Sequence, residues 1–404
     1  MIRHAGRTDP GRRRDNNEDA LLLDIDNGVF AVADGVGGRE AGEVASALAI
    51  DTLRAAAPGL ARAVAAYAAA PDWSARNAVL EALDAALQQA SQRIYEEAEA
   101  AGKQGMTTTI VVAVVGGGAA FLAHVGDSRA WLVREGHIKQ LTEDHSMVNE
   151  LVRAGQMSFE EAKRSRYRNV ITRALGLYPT VQADVVSIEI LPGDRVVLAS
   201  DGLSDPVPLD RIGELAAEDT VDRAAQLLVD AANDAGGPDN VTAVVVEPEA
   251  TLEAEVARAR AQVMQDLFLF HGLPFHVRLR VSRICEEIRF TPEQKLVVEG
   301  AIDDRMFVIV QGEVRVSRDG VALARLGPGQ HFGELGLLED QERSASVYGA
   351  TAGSALVIQR ARLQEFCQRE PGLGNALLWR LLTVLGARLR DSNAQAARTL
   401  RGDA

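Results

Sequence analysis

Four aspartates stand beside short apolar runs in the first part of this chain, and that pattern limits what the chain can build. Asp34 follows Val29–Ala33 and precedes Gly35. Asp127 follows Phe121–Val125 in the turn Gly126-Asp127-Ser128-Arg129. Asp201 follows Arg195–Ser200 and precedes Gly202, and Asp239 stands just before Val241–Val246. Apolar runs of this length bounded by turn residues predict strands. Thr109–Val115 and Ala130–Val133 predict two more. A single Asp-Gly pair is ordinarily a turn. Four aspartates tied to strand ends predict short carboxylates held rigidly at a sheet edge. Carboxylates that converge without matched cations call for a divalent metal. An all-oxygen donor set suits Mg²⁺ or Mn²⁺ rather than zinc.

Between the strands, Leu80, Leu83, Leu87 and Ile94 keep helical spacing, as do Val221, Ala225, Leu228 and Ala232. The second helix stops at Gly236-Gly237-Pro238. No alternating parallel-sheet pattern is present, so the expected class is α+β, with helices packed on antiparallel sheets. Near residue 249 the texture changes. Ala250–Gln262 is rich in Ala, Glu and Arg, and Val256, Val263, Leu267 and Phe270 form a stripe that predicts a helical connector. From Ile288 to Ile358 the strands are short, with turn pairs at Glu299-Gly300, Gln311-Gly312, Asp319-Gly320 and Pro328-Gly329. That spacing predicts a small β-barrel or jelly roll. Leu378, Leu382, Leu385 and Leu389 mark one face of a final helix. The expected domains are residues 1–248, a connector over 249–262, and residues 263–404.

Charge and cysteine usage narrow the setting. Lys and Arg number 43 against 57 Asp and Glu, a net charge of −14. This opposes nucleic acid as a main partner, because such binding rests on basic residues that neutralise phosphates. No apolar run is long enough to span a membrane, and the polar start lacks a signal core. Cys285 and Cys367 lie far apart and fit no metal-ligand spacing, so both are expected to be reduced packing residues in the cytoplasm.

Six stretches recur in family order: Arg14-Asp15-Asn16-Asn17-Glu18-Asp19, Val32-Ala33-Asp34-Gly35-Val36-Gly37-Gly38, Val125-Gly126-Asp127-Ser128-Arg129, Leu141-Thr142-Glu143-Asp144-His145-Ser146, Ser200-Asp201-Gly202-Leu203 and Gly237-Pro238-Asp239-Asn240-Val241-Thr242. With them, residues 8–247 resemble the metal-dependent protein phosphatases of type 2C (PPM), in their bacterial form. The resemblance implies two antiparallel sheets sandwiched by helices. It implies that Asp34 bridges two metals with the Gly35 carbonyl as a further ligand, and that Asp201 and Asp239 complete one metal's shell. It also places Glu18 on the second metal or one water away, and Asp127 with Asp201 at a third metal position. Arg14 is the implied clamp on the substrate phosphate, and a guanidinium has the right shape for a phosphoryl dianion. Two metals acidify a shared water and stabilise the charge of an in-line displacement.

Two departures from the family are visible. Thr107 in Met106-Thr107-Thr108-Thr109 replaces a common glycine, and Val36 stands where animal members often carry a histidine. His145 follows Asp144 before a helix, and a structural role there outweighs a chemical one, with Asp144 ordering or capping the turn. Arg164, Arg166, Arg168 and Arg173 fall in the family's variable flap, Met147–Leu175. A substrate-facing role and a solvated basic face weigh equally for them.

A second set comprises Phe332-Gly333-Glu334-Leu335-Gly336-Leu337-Leu338 and Glu342-Arg343-Ser344-Ala345-Ser346-Val347. Here residues 263–395 resemble the cyclic-nucleotide-binding domains of the catabolite-activator and protein-kinase-regulatory families. Gly333 before a short helix lets backbone N–H groups, including that of Leu335, approach a cyclic phosphate. Arg343 supplies the neutralising charge. Glu334 accepts from a ribose hydroxyl, and Ser344 donates to phosphate or base. Ser344 tilts the expectation to cyclic AMP over cyclic GMP. Ser392 and Asn393 fall near a place where the activator's final helix touches adenine. The short stretch after that helix leaves no room for a DNA-binding helix-turn-helix, so a regulatory module is expected.

The expected activity is hydrolysis of phosphoserine and phosphothreonine in proteins, among them substrates of serine/threonine kinases, under control of a cyclic nucleotide. The C-terminal helix offers pairing into a homodimer, with packing inside the domain as an equal alternative. Two other readings compete: a pseudophosphatase that only binds, which loss of Asp34, Asp201 or Asp239 would favour, and a phosphatase with a purely structural barrel, which Glu334 and Arg343 oppose.

Overall fold

The computed structural model describes residues 2–37, 41–103, 105–167, 170–191, 193–248, 273, 275–338 and 342–401. The predicted connector over 249–262 and its stripe Val256, Val263, Leu267 and Phe270 lie outside them, as do Gly38 and Arg168. The side chains of Leu389, Ser392 and Asn393 also lie outside the described residues. Contacts divide the chain into two units. The described residues before 249 form one unit together with Phe275–Arg280, and Leu273 with those from Val281 onward forms the other.

In the first unit, two antiparallel sheets stack face to face. One runs Arg3–Asp9, Val241–Glu247, Arg195–Ala199, Arg129–Arg134, His137–Gln140. The other runs Asp19–Asp24, Val29–Val36, Ile110–Gly116, Ala119–Val125, Asp184–Glu189, with Thr107–Thr108 paired to the end of Val29–Val36. Side chains alternate between faces along a strand. Phe30 and Val32 therefore meet Leu132, Val196 and Val244 between the sheets. Val29, Ala31 and Ala33 turn the other way, onto the helices Ala41–Ala69 and Trp73–Ala101. Trp131, Val197 and Val245 face the helices Leu209–Ala216 and Val221–Asp234. The result is helix, sheet, sheet, helix, the predicted class.

The six strands expected from apolar runs are the central strands of these sheets. The four edge strands, Arg3–Asp9, Asp19–Asp24, His137–Gln140 and Asp184–Glu189, were not expected. An edge strand is paired on one side only and tolerates polar residues; Arg3–Asp9 reads RHAGRTD. Thr107, the replaced glycine, is buried and pairs with Val36 in the added strand, so its Cβ is accommodated there.

The second unit is also built of two four-stranded antiparallel sheets. One runs Cys285–Phe290, Gly353–Gln359, Arg305–Gln311, His331–Phe332; the other runs Lys295–Val297, Ser346–Gly349, Val314–Arg318, Val321–Leu326. Phe290, Phe307, Ile309, Phe332, Val347 and Val357 fill the space between them. The Phe307 and Phe332 rings stack with centroids 4.8 Å apart. This is a jelly-roll-like β unit with flanking helices, Arg360–Arg369 and Pro371–Arg401, rather than a closed barrel. On the last helix the face turned inward carries Leu377 and Leu381, whereas Leu378 and Leu382 are exposed beside Trp379. Of the two alternatives left open for the predicted stripe, packing inside its own domain does not hold for Leu378 and Leu382.

Candidate active site

The acidic residues named from sequence come together where strand ends meet. Asp34 lies near the end of Val29–Val36, directly across from Asp19 in the neighbouring strand. Gly35 can only be a glycine there. A Cβ would collide with the Gly42 carbonyl at the start of the first long helix and lie 2.6 Å from the Glu18 carbonyl. The Gly35 N–H donates to that Glu18 carbonyl at 3.2 Å, and the Ser46 hydroxyl donates to it at 2.6 Å. Thr109 N–H and the Thr108 hydroxyl both donate to the Asp34 carbonyl, at 2.9 and 2.8 Å. Local hydrogen bonds thus fix the backbone of this strand end.

Asp201 opens a one-turn helix, Asp201–Ser204, after the strand Arg195–Ala199. Gly202 must be small, because a Cβ would run into the Asn240 carbonyl. Asn240 is a clasp that sequence reasoning left without a role. Its side chain accepts from Glu18 N–H at 2.8 Å and donates to the carbonyls of Pro10 and Asn16 at 3.0 and 2.7 Å. The Arg14–Glu18 loop is thereby held to the Asp239 loop. Arg14 Nη2 lies 2.7 Å from Asp239 Oδ2, with both side chains partly open to solvent.

Charge is the dominant property of this cluster. Burial, reinforced by the charges of Asp19, Asp201 and Asp127, holds the Asp34 carboxyl well above its usual range. Burial first, then Asp201 and Asp144, pushes Asp127 up to about 7. Burial first, then Asp205 and Asp239, pushes Asp201 up to about 6. Glu18 is raised as well, by burial against the counteracting Arg14. Asp19 was missed as a site residue. Burial pushes it up to about 7 even though Ser200 and Thr242 hydrogen-bond to it. Ser200 donates to Asp19 Oδ2 at 2.8 Å, while the buried Oδ1 accepts no hydrogen bond. The signal for Asp19 was its place at the head of the run Asp19–Asp24, immediately after Glu18. Several carboxylates with too few cations, and one orphaned carboxylate oxygen, are the donor set of a hard divalent cation.

Asp127 is set by its own turn. Gly126 has φ of +102°, open to glycine at no cost. Its N–H donates to His145 Nδ1 at 3.1 Å, and its carbonyl accepts from His145 N–H at 2.9 Å. Ser128 and Thr109 share a hydrogen bond of 2.6 Å. Asp144 does not cap the following helix; it takes a bidentate grip from Arg129 at 2.9 and 2.6 Å, and Ser146 is the cap. His145 is buried, and burial pushes its ring down to about 4. It is therefore neutral, with its proton on Nε2 because Nδ1 accepts. Of the flap arginines, Arg173 is largely covered and paired to Asp184 at 3.3 Å, while the guanidinium of Arg166 lies over Tyr167, 4.6 Å from the ring centroid.

In the second unit, Gly333 has φ of +83° and leads into the 3-10 turn Glu334–Leu337. Glu334 is buried, and Leu335 and Ser344 are exposed. Arg343 is buried against the same glycine. It donates to the Gly333 carbonyl at 2.9 Å and to the Arg305 carbonyl, and its Nη2 lies 3.1 Å from Asp303 Oδ1.

Comparison with known proteins settles the larger question. The family model described as protein phosphatase 2C matches residues 12–241. This chain belongs to the protein phosphatase 2C family. A serine/threonine phosphatase of Listeria monocytogenes is 36% identical over 257 residues, covering 61% of this chain and 95% of its own. The Mycobacterium tuberculosis phosphatase PstP is 38% identical over 248 residues, which is 61% of this chain and 45% of PstP. A crystal structure of PstP superposes with TM-score 0.54 at 37% identity, covering 61% of this chain and 99% of that one. Another, of the PstP catalytic domain in complex with two manganese ions, gives TM-score 0.52 at 36% identity and covers 61% and 97%. The phosphatase carries a second matched segment, a cyclic nucleotide-binding domain over residues 287–370. The enzyme is a type 2C serine/threonine protein phosphatase with a cyclic nucleotide-binding domain. Among the described residues no helix is long and apolar enough to cross a membrane.

Proposed function

We propose that this phosphatase hydrolyses phosphoserine and phosphothreonine in proteins at the cluster built by Asp34, Asp201 and Asp239, under control of a cyclic nucleotide held by the second unit. Asp34, the Gly35 carbonyl, Asp201, Asp239 and Glu18 are the donors for two Mn²⁺ or Mg²⁺ ions. Asp127 with Asp201 offers a third position, and Asp19 lies close behind Asp34 and Asp201. Cations held there acidify water and neutralise charge on the transferring phosphoryl group. Arg14 lies at the open side of the cluster, where its guanidinium can orient phosphoryl oxygens. The observation that carries this reading is the excess of buried carboxylates, whose charges raise the proton affinity of Asp34 and Asp201. Such a cluster is unfavourable to the fold by itself and is explained by a ligand of opposite charge.

For the second unit the supporting observations are the matched domain and a buried Arg343 beside Gly333 and Glu334. Cyclic AMP is the proposed effector, with Ser344 as the residue that favours it. The exposed Leu378, Trp379 and Leu382 support pairing of two chains through the last helix.

The test is hydrolysis of a phosphothreonine peptide by the full chain with Mn²⁺, with excess chelator, and with cyclic AMP or cyclic GMP added. Metal-dependent turnover that changes with one nucleotide is expected. Full turnover in chelator would overturn the metal chemistry. Unchanged turnover, peptide affinity and oligomeric state with a nucleotide that binds would overturn the regulation.

A further inference from the structure

Behind the Asp127 turn lies a buried polar cluster for which the proposed chemistry has no use. His124, His145 and Asp184 bring one ligating atom each within 4.8 Å of one another. The two imidazoles stack with centroids 4.6 Å apart. The cluster is not suited to a metal ion, because two guanidiniums already occupy it. Arg173 Nη1 is 3.3 Å from both His145 Nε2 and Asp184 Oδ1, and Arg280 Nη1 is 3.5 Å from Asp184 Oδ2. Arg280 also donates to Glu143, whose carbonyl lies 2.8 Å from His124 Nε2.

Arg280 comes from outside the segment matched to the phosphatase family. It lies on the helix Phe275–Ser282, and as a residue it is 7% exposed. The same helix packs Phe275 and Leu279 against the core between the sheets, with the Lys139 ammonium 5.1 Å from the Phe275 ring centroid. Arg280 is the last residue of the first unit, and Val281 resumes the second.

We propose that Arg280 is a positioning residue for the Asp127 loop, acting through Asp184 and His145. Each link is short. Arg280 and Arg173 hold the Asp184 carboxylate. Asp184 Oδ1 faces the protonated Nε2 of His145 at 3.5 Å and fixes the tautomer. Nδ1 is thereby left to accept the Gly126 N–H, one residue before Asp127. Two carboxylates, Glu143 and Asp184, are balanced by two close guanidiniums. Without Arg280, the cations left among the described residues are Arg173 for Asp184 and, for Glu143, Arg153, 3.9 Å away and open to solvent. An Asp184 carboxylate short of a cation draws Arg173 and the His145 ring toward itself, and the Gly126 hydrogen bond is the one that gives. The residue that anchors the Asp127 turn thus sits where the chain returns to the second unit, a covalent route for regulation.

This inference rests on the reading of Asp127 as a cation ligand, so the test measures cation binding as well as turnover. The full chain is titrated with Mn²⁺ by calorimetry and by electron paramagnetic resonance of free Mn²⁺, for the parent, Arg280→Gln, Arg280→Lys and the control Arg278→Gln. In Arg280→Gln the weakest Mn²⁺ site should weaken about fivefold or more, with the tighter sites unchanged. Arg280→Lys should recover most of the loss, and Arg278→Gln should match the parent. A parent that binds Mn²⁺ but does not hydrolyse phosphopeptide would refute the proposed activity and leave this measurement intact. If Arg280→Gln does not fold, Asp184→Asn takes its place, since the amide keeps the shape. Unchanged weak-site affinity in a folded Arg280→Gln or Asp184→Asn protein overturns the proposal.

Discussion

Asp201→Asn separates a carboxylate kept for a cation from one kept for the fold. In the metal-free enzyme Asp201 is raised from 3.8 to about 6, by burial first and then by Asp205 and Asp239. Each unit corresponds to about 1.4 kcal/mol, so the charged form costs the folded state about 3 kcal/mol. The unfolded chain releases this proton near pH 3.8 and the folded chain near pH 6. The folded state therefore holds the extra proton between those values. Stability falls as pH rises through that window, and the full cost is present above pH 6. Asn has the same shape, its amide oxygen can still accept the hydrogen bond that links Asp34 to Asp201, and it carries no charge. Urea denaturation in excess chelator at pH 7.5 should find the variant more stable by about 2–3 kcal/mol, and at pH 4 nearly equal to the parent. His145, pushed down to about 4, changes stability in the opposite sense between its two values, but it is common to both proteins and cancels in the difference. Saturating Mn²⁺ should reverse the order, because the parent gains stability by mass action and the variant lacks a donor. Turnover should drop by about a hundredfold or more, the scale of losing one preorganised electrostatic group. An Asn variant less stable than its parent at pH 7.5 in chelator would show that the carboxylate serves the fold, and the argument would fail.

Arg14→Ala should raise KM for a phosphopeptide by about tenfold, equivalent to about 1.4 kcal/mol, with Arg14→Lys recovering only part because the planar fork is lost; steady-state kinetics that match the parent would remove Arg14 from substrate binding. Arg343→Ala should abolish cyclic AMP binding in calorimetry. Asp303→Asn should instead tighten it several-fold, because Asp303 Oδ1 already holds the Arg343 guanidinium at 3.1 Å; equal affinity in Asp303→Asn and parent would show that the pair does not open for ligand. Trp379, 65% exposed between Leu378 and Leu382, should pair two chains. Trp379→Glu should then shift a dimer to monomer in light scattering, and a parent that is monomeric at high concentration rules the pairing out.

What the sequence disclosed and what it hid follow from where each strand sits. Val29–Val36, Ala119–Val125 and Val241–Glu247 are covered on both faces, so they are nearly continuous apolar runs, and the aspartates at or beside their ends could be placed without a fold. Asp19 was hidden because its strand is an edge and its partner Ser200 is 181 residues away. Arg280 was hidden for the same reason, its partner Glu143 lying 137 residues distant with no local pattern to announce the pair. On the last helix, Leu377 with Leu381 and Leu378 with Leu382 have the same spacing. Periodicity alone could not say which face turns inward.

The two ligand sites differ in a way that sequence motifs do not display. Asp34, Asp127 and Asp201 stand together without enough positive charge, so a cation that enters removes repulsion and adds to stability. Arg343 already holds Asp303 and two backbone carbonyls through its Nη atoms, so an anion that draws on those atoms must exchange with contacts the protein has made. On the proposed reading, binding at the first site would complete the structure, whereas binding at the second would rearrange it. A site that rearranges on binding is the one suited to carry a signal, because a ligand shifts a conformational equilibrium only through interactions that differ between the two states.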